Sequence, residues 1–296
     1  MGSEKALDPK TGREFYLDHP DDLEPGEKVV FLLNIHGGGS FGAWQRGYFP
    51  AVDVKEKYRL VIATPTAATS EPFRMWVPEA DDEHLQNIVE LVFDRFGREN
   101  IASFWLVGHS QGGMTSNRLL CTDFFADRVD GWLSLSGGRI GPAEIAGRLL
   151  PDTGRPLPAF PKINGQTPRP GVAVPPTADI SYIFATGEHE IVALPETSPW
   201  AEKYGAGPRQ RLDDVVDVEP GQVYDKLREG KSTPGWGLLP RPGTAQVYVY
   251  PNAKGDRVIA DVVRLDKGHT EGLEPNITSE LIRMMVAAPG GKAQAR

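Results

Sequence analysis

The sequence predicts an α/β protein with a mostly parallel central sheet flanked by helices. Val29–Ile35 is an almost continuous apolar run, which is typical of a strand buried on both faces of a parallel sheet. A second apolar run, at 103–107, is followed by glycines and then by a helical pattern. Because strand and helix patterns alternate along the chain, we expect parallel strands joined by helices.

Hydrophobic periodicity places the individual elements. Apolar runs predict strands over 29–35, 60–64, 103–107, 132–136, 180–185, 246–250 and 258–265. Asp81 and Asp82 open a helix whose apolar positions recur at helical spacing from Leu85 to Phe96, and Gly97 is placed to end it. Further helices are predicted over 113–120, 223–227 and 279–286.

The domain organisation follows from length and composition. The 296 residues predict one domain over 28–288, preceded by a polar segment over 1–27 and followed by a frayed tail over 289–296. The polar segment has room for an edge hairpin near residues 13–17. Two stretches with little periodicity, about 141–177 and 193–243, read as insertions. Because such long loops are usually functional, we expect them over the active site.

Charge and cysteine content exclude several function classes. A net charge of −8 argues against nucleic acid as the main partner, because phosphate binding needs a basic face. No apolar run is long enough for a membrane span, so we expect no membrane partner. The single cysteine, Cys121, cannot form an internal disulfide, and no Cys/His spacing suggests a metal site. We expect neither metal nor cofactor, and the oligomeric state stays open.

The start of the chain bears on its location. No basic stretch followed by an apolar one opens the sequence, so the chain as written would be cytoplasmic. Met1-Gly2-Ser3 is equally what remains where a leader has been replaced, and the protein would then be secreted or periplasmic.

The turn after the strand at 103–107 has the spacing G-x-S-x-G, in Gly108-His109-Ser110-Gln111-Gly112. A serine hydroxyl is a weak nucleophile, so it must stand on a sharp turn where a base can reach its proton. Glycines on either side leave room for the neighbouring strand and helix. The pattern therefore predicts Ser110 as a catalytic nucleophile, and a glycine-rich structural turn is the alternative.

A second glycine loop, His36-Gly37-Gly38-Gly39, directly follows the strand at 29–35. Glycines let the backbone approach a ligand closely and leave N–H groups accessible, as an oxyanion hole requires. His36 is better placed to shape this loop than to carry a proton.

Nucleophilic serine needs a base and a carboxylate that orients the base. His269 follows a strand near the end of the chain, where the base is expected. Glu188 and Glu190 both qualify as the acid, because both follow the strand at 180–185. The order serine, acid, histidine is that of one hydrolase class and differs from the chymotrypsin and subtilisin orders.

These motifs resemble the α/β-hydrolase superfamily, and within it the esterases related to polyhydroxybutyrate depolymerases and feruloyl esterases. The resemblance covers most of residues 28–288 and rests on the two glycine motifs, the helix after Trp76, the turn from Gly187 to Glu190, and Gly268-His269-Thr270.

The resemblance implies specific roles. In that family the acid stands three residues after the glycine, which selects Glu190 over Glu188, and the oxyanion is held by the N–H groups of Gln111 and one glycine, here Gly38. The sequence departs from the family by having glutamate where aspartate is usual, by its single cysteine, and by Glu271-Gly272 where Trp-Pro-Gly is common.

The sequence therefore predicts a cofactor-independent serine hydrolase that cleaves small or polymeric carboxylic esters, polyester or aromatic, through an acyl-enzyme on Ser110. One alternative is an amidase or peptidase that uses the same triad on a peptide-like polymer. The other is a non-catalytic binding module on a hydrolase fold. Trp44 and Trp76 are candidates to line an acyl or aromatic subsite, with plain packing as the alternative.

Overall fold

The computed structural model describes residues 2–71, 73–137, 176–190, 194, 196–223 and 241–295. Within these ranges, eleven strands form one sheet. The strands are β1 (Ser3–Asp8), β2 (Arg13–Asp18), β3 (Val29–Ile35), β4 (Leu60–Pro65), β5 (Ile101–His109), β6 (Gly131–Leu135), β7 (Ser181–Gly187), β8 (Gln210–Arg211), β9 (Val215–Val216), β10 (Thr244–Val249) and β11 (Ile259–Arg264). The helices are α1 (Gly42–Tyr48), α2 (Lys55–Tyr58), α3 (Pro78–Phe96), α4 (Gln111–Leu120), α5 (Asp123–Ala126), α6 (Pro199–Lys203) and α7 (Pro275–Ala287).

The strand order across the sheet is β1-β2-β4-β3-β5-β6-β7-β11-β10-β8, and β9 also pairs with β10. Neighbouring strands are parallel from β4 to β11, and the antiparallel pairs lie toward the two edges. Every residue of β3, β6 and β7 is buried, because helices cover both faces of a parallel sheet. The predicted mostly parallel sheet with flanking helices is confirmed.

Two apolar cores lie on the two faces of the sheet. One contains the apolar side of α3, including Leu85 and Phe93, and the other contains that of α7, including Leu281. Burying each such side chain stabilises the fold by about 1.5–3 kcal/mol. The parallel strands are therefore held in place from both sides, and their carboxyl ends form a rigid edge on which loops can be positioned.

The polar segment predicted over 1–27 is in large part integrated into the sheet. β1 and β2 form an antiparallel hairpin, and β2 pairs with β4. Phe15 and Leu17 alternate with more exposed neighbours and pack into the core. Strand β2 contributes only these two large apolar side chains to the core. Because they are so few, the composition of the segment is polar although it belongs to the sheet.

The tail predicted to fray over 289–296 is instead packed against β5, up to residue 295. Ala293 is fully buried in a short 3-10 turn, Lys292–Gln294. The Gln294 side-chain amide donates to the carbonyl oxygen of Ile101 at 2.8 Å. This segment is held by one small apolar side chain and a few hydrogen bonds. Its packing therefore could not be predicted from a hydrophobic pattern in the sequence.

Helix α3 begins three residues before the predicted acidic pair, because Pro78 occupies its first position, where the missing N–H costs nothing. The Asp81 carboxylate, inside the first turns of the helix, then accepts the N–H of the N-cap residue Val77 at 2.8 Å.

The predicted insertions are described only in part. Residues 141–175, 193, 195 and 224–240 lie outside the described residues, as does nearly all of the helix predicted near 223–227. The stretch 196–223 contains α6 and the short strands β8 and β9, which extend the sheet beside β10. In the described part of the chain, no helix combines the length and apolar character of a bilayer span.

Candidate active site

Ser110 stands on a sharp turn between β5 and α4. Its backbone has φ +52° and ψ −118°, a conformation that residues with a side chain rarely adopt. The turn needs glycine at Gly108, because a Cβ there would lie 2.4 Å from the carbonyl carbon of Gly112. The Ser110 N–H donates to the carbonyl oxygen of Leu135 at 2.9 Å, so β6 holds the turn in place.

His269 lies beside Ser110 and links it to Glu190. The Ser110 Oγ is 2.8 Å from Nε2 of His269, and Nδ1 of the same ring is 2.8 Å from Oε2 of Glu190. Both His269 and Glu190 have less than a tenth of their side-chain surface exposed. The structure thus brings these three predicted residues into one hydrogen-bonded line, in which the imidazole can accept the hydroxyl proton while the carboxylate receives Nδ1–H.

The two candidate acids lie in different surroundings. Glu190 faces His269, whereas Glu188 is exposed and accepts the main-chain N–H of Asp266 at 2.7 Å. The second oxygen of Glu190 accepts the hydroxyl of Ser136 at 2.7 Å. Sequence reasoning missed Ser136, although a polar residue directly after a parallel strand was a signal for this edge of the sheet.

The loop that carries His269 is held through its main chain. His109 donates Nε2–H to the carbonyl oxygen of His269 at 2.9 Å, and the Tyr48 hydroxyl donates to the same oxygen at 3.4 Å. Burial, aided by the nearby His269, lowers the pKa of His109 well below its usual range, so its ring is neutral. No feature of the single sequence distinguished either residue as a partner of His269.

The main-chain N–H groups of Gly38 and Gln111 belong to two neighbouring segments. A Cβ on Gly38 would lie 3.7 Å from Cβ of Gln111, so the glycine loop lies beside the first turn of α4. Among the described residues, no acceptor is found for the N–H of Gly38 or of Gln111. The positive end of the helix dipole adds to the field at this point. This arrangement is suited to hold a negatively charged oxygen.

The segment that ends at Trp76 is hydrogen-bonded both to the glycine loop and to the first residue of α4. The Gln111 side-chain amide exchanges two hydrogen bonds of 3.1 Å with the main chain of Trp76. The indole N–H of Trp76 donates to the carbonyl oxygen of His36 at 2.8 Å, and Gly39 N–H donates to Arg74 at 2.7 Å. The loop is therefore fixed before any ligand binds.

Trp76 is buried, which favours plain packing, the alternative to a subsite role for this residue. Its side chain is 4% exposed and its ring packs against that of His36, with centroids 4.7 Å apart. An indole beneath the loop both fills the core and satisfies a buried carbonyl oxygen, which explains its inward position. Trp44 is half-buried and stacks on Tyr48 at 4.9 Å, near His109.

His36 has the structural role expected from its position. It donates Nδ1–H to the carbonyl oxygen of Gly37 at 2.7 Å and accepts the N–H of Ala67 on Nε2 at 3.0 Å. Burial lowers the pKa of His36 to about 4, so the ring is neutral and shapes the loop.

Two exposed apolar side chains belong to segments near the Ser110 turn. Phe73 and Met114 are 42% and 44% exposed. The Phe73 ring covers the glycine loop, since its nearest atom lies 3.0 Å from a Cβ built on Gly38. Met114 lies one helical turn after Ser110, to whose carbonyl oxygen its N–H donates. Phe73 therefore provides an apolar surface beside the glycine loop.

A buried ion-pair cluster underlies the His269 loop. Glu274 pairs with Lys267 at 2.8 Å and with Arg264 at 3.1 Å, and all three side chains are at most 4% exposed. The Glu271 carboxylate accepts the N–H of Gly268. This cluster contains both signs of charge. Within the described ranges, no group of His, Cys, Asp and Glu side chains is arranged to hold a metal ion.

Comparison with known proteins places this geometry in a known fold. The chain matches no protein-family model and no curated protein. An acetyl xylan esterase from Aspergillus awamori is similar in structure, with a TM-score of 0.54 at 13% identity over 97% of this chain and 100% of that chain. The protein TT1662 from Thermus thermophilus has a TM-score of 0.49 at 17% identity over 100% of both chains.

At a sequence identity of 13%, the structural likeness to the acetyl xylan esterase shows that the two proteins share a fold but does not show that they share a substrate. The relation to polyhydroxybutyrate depolymerases stays a prediction. Together with the strand order and the turn at Ser110, the likeness to the Aspergillus structure shows that this chain has the α/β-hydrolase fold.

Proposed function

We propose that the protein is a serine hydrolase that cleaves carboxylic esters through an acyl-enzyme on Ser110. The proposal rests on the hydrogen-bonded series Ser110, His269 and Glu190, in which both hydrogen bonds are 2.8 Å long. A serine on a strained turn, an imidazole within hydrogen-bond distance of its hydroxyl and a carboxylate on the far side of that ring are the parts that nucleophilic catalysis by serine requires.

The first half of the reaction forms the acyl-enzyme. His269 Nε2 takes the hydroxyl proton as Ser110 Oγ attacks the ester carbonyl carbon, and Glu190 stabilises the imidazolium through Nδ1–H. The N–H groups of Gly38 and Gln111 hold the oxygen that becomes negative. The imidazolium then gives its proton to the departing alkoxide, which leaves as the alcohol.

The second half releases the acid. Water gives a proton to His269 Nε2 while its oxygen attacks the acyl carbon, and the same two N–H groups again hold the negative oxygen. Collapse expels Ser110 Oγ, which recovers the proton from His269. One ester and one water thus yield one alcohol and one acid, and the enzyme returns to its initial state.

The apolar surface beside the glycine loop supports an ester with an apolar acyl or aromatic group. The exposed Phe73 ring covers the glycine loop, so an alkyl chain or ring that packs on it would lose water contact on binding. A polyester or an aromatic ester, as proposed from the sequence, meets this requirement.

A fluorophosphonate probe tests the mechanism. We expect stoichiometric labelling at Ser110, no labelling of Ser110→Ala, and a rate at least about 10³-fold lower for Ser110→Ala and for His269→Ala on a p-nitrophenyl ester. Because the two side chains act as a unit, the double variant should be hardly worse than either single variant. Ser116→Ala is the matched control, since Ser116 lies on α4 and its buried hydroxyl donates to the carbonyl oxygen of Gly112.

Three results would contradict the proposal. Parent-like ester hydrolysis by Ser110→Ala would overturn the mechanism. Faster cleavage of an amide than of its matched ester would make the protein an amidase or peptidase. Absence of both labelling and turnover would favour a binding module.

A further inference from the structure

Ser136 occupies a constrained position next to the nucleophile turn. It follows the end of β6 as Ser110 follows the end of the adjacent strand β5, and both residues have a φ of +52°. The Ser136 N–H donates to the carbonyl oxygen of Ala185 on β7 at 2.7 Å. A residue with a side chain stays in this region of φ only where its surroundings hold it, and such positions concentrate at functional sites.

The Ser136 side chain is directed at the carboxylate of Glu190. Its hydroxyl donates to Oε1 at 2.7 Å, while Oε2 receives Nδ1–H of His269 at 2.8 Å. The main-chain N–H of Gly187 lies farther from Oε1, at 3.4 Å. Each carboxylate oxygen thus has one short hydrogen bond, one to the base and one to Ser136.

A glutamate at this position needs such a contact more than an aspartate would. Its additional methylene adds a rotatable bond, so its carboxylate has more orientations that do not face the imidazole. The reaction slows when a catalytic group is displaced from its productive geometry by a few tenths of an ångström or by about ten degrees. A hydroxyl on a rigid strand end removes part of this freedom.

We propose that Ser136 is a positioning residue that fixes the Glu190 carboxylate against His269. This inference rests on the proposed serine hydrolase function. Ser136 acts through Glu190 and does not itself contact the reacting atoms.

Two variants separate the hydroxyl from the backbone strain. Ser136→Ala removes the hydroxyl and keeps the Cβ at positive φ, whereas Ser136→Gly removes the hydroxyl and relieves the strain. We expect both to lower kcat about tenfold or more, because each removes a hydrogen bond to a charged group, while KM stays within about twofold. Ser181→Ala is the control, since Ser181 is a fully buried serine whose hydroxyl accepts the N–H of Val258, away from Glu190.

A double-mutant cycle tests whether the effect passes through Glu190. In a Glu190→Ala background, Ser136→Ala should change kcat less than about twofold, because no carboxylate remains to be positioned. An equal loss in both backgrounds would overturn the proposal, as would parent-like kcat in Ser136→Ala and Ser136→Gly. Ser110→Ala tests the function separately: if it retains activity the proposed mechanism fails, whereas if it is inactive and Ser136→Ala is parent-like only this inference fails.

Discussion

His109, the residue before the proposed nucleophile Ser110, donates its Nε2–H to the main-chain carbonyl oxygen of His269 across 2.9 Å. Its ring packs between Tyr48 and His269, with centroid distances of 4.0 Å and 4.9 Å. Because burial keeps His109 neutral, Nε2 retains its proton as a donor. The nucleophile turn and the loop of the base are thus joined directly.

Replacing His109 should weaken this junction. His109→Phe keeps a ring in the stack but removes the donor at 2.9 Å, while the Tyr48 contact to the His269 carbonyl oxygen is longer, at 3.4 Å. A buried acceptor without a good partner costs about 1–3 kcal/mol. We expect urea unfolding to show a loss of that size, together with a fall in kcat of about tenfold from looser placement of His269. Parent-like stability and kcat would show that the junction is dispensable.

The two glutamates should differ widely in their effect on rate. Glu190→Gln leaves a side chain of the same size but removes the charge that stabilises the imidazolium, so we expect kcat to fall by about 10³–10⁴ with the fold intact. Glu188→Gln is the matched control and should stay within about threefold, because the exposed Glu188 carboxylate accepts the N–H of Asp266 in a surface turn. The reverse ranking, measured by steady-state kinetics and circular dichroism, would transfer the acid role to Glu188.

Acid pH should weaken the cluster around Glu274. Burial opposes ionisation of Glu274, but Arg264 and Lys267 outweigh it and hold the pKa of its carboxyl below the ordinary value of 4.5. A lowered folded-state pKa stabilises the protein above pH 4.5, and this contribution is lost as the pH falls through the folded-state value. Glu274→Gln should therefore lower the free energy of unfolding by about 3–5 kcal/mol at neutral pH, with a smaller difference from the parent below pH 4.5.

Urea titrations at a series of pH values measure this effect. Glu280→Gln is the control on the same part of the chain, because Glu280 pairs with the exposed Arg283 and should change stability by less than about 1 kcal/mol. A difference between Glu274→Gln and the parent that stays constant down to acid unfolding would show that Glu274 does not ionise differently in the folded state.

The two tryptophans should respond differently to substitution. Trp76→Phe removes a buried N–H from the carbonyl oxygen of His36, so we expect a loss of about 1–3 kcal/mol in stability and a lower kcat as the glycine loop loosens. Trp44→Ala removes a half-buried ring, and we expect a smaller loss of stability and a higher KM for apolar esters. Equal effects of the two substitutions on KM and stability would contradict this assignment.

The sequence by itself determined the class of fold and the position of the turn that carries Ser110. Each end of the seven predicted strands agrees with the structure within two residues. Continuous apolar runs such as Val29–Ile35 and a serine between close-packed glycines depend on neighbours in the chain, so composition and spacing suffice to recognise them. For the same reason the turn at Ser110 could be predicted without any knowledge of its partners.

Only the tertiary structure decided which side chains meet. Glu188 and Glu190 are two residues apart in one turn, and the position of the β11–α7 loop places His269 against one of them. Ser136 reaches Glu190 across 54 positions, and the inward direction of Trp76 depends on a carbonyl oxygen 40 positions away. Such contacts depend on the register of distant strands and on which side of a turn a side chain leaves the backbone, and neither is encoded in local periodicity.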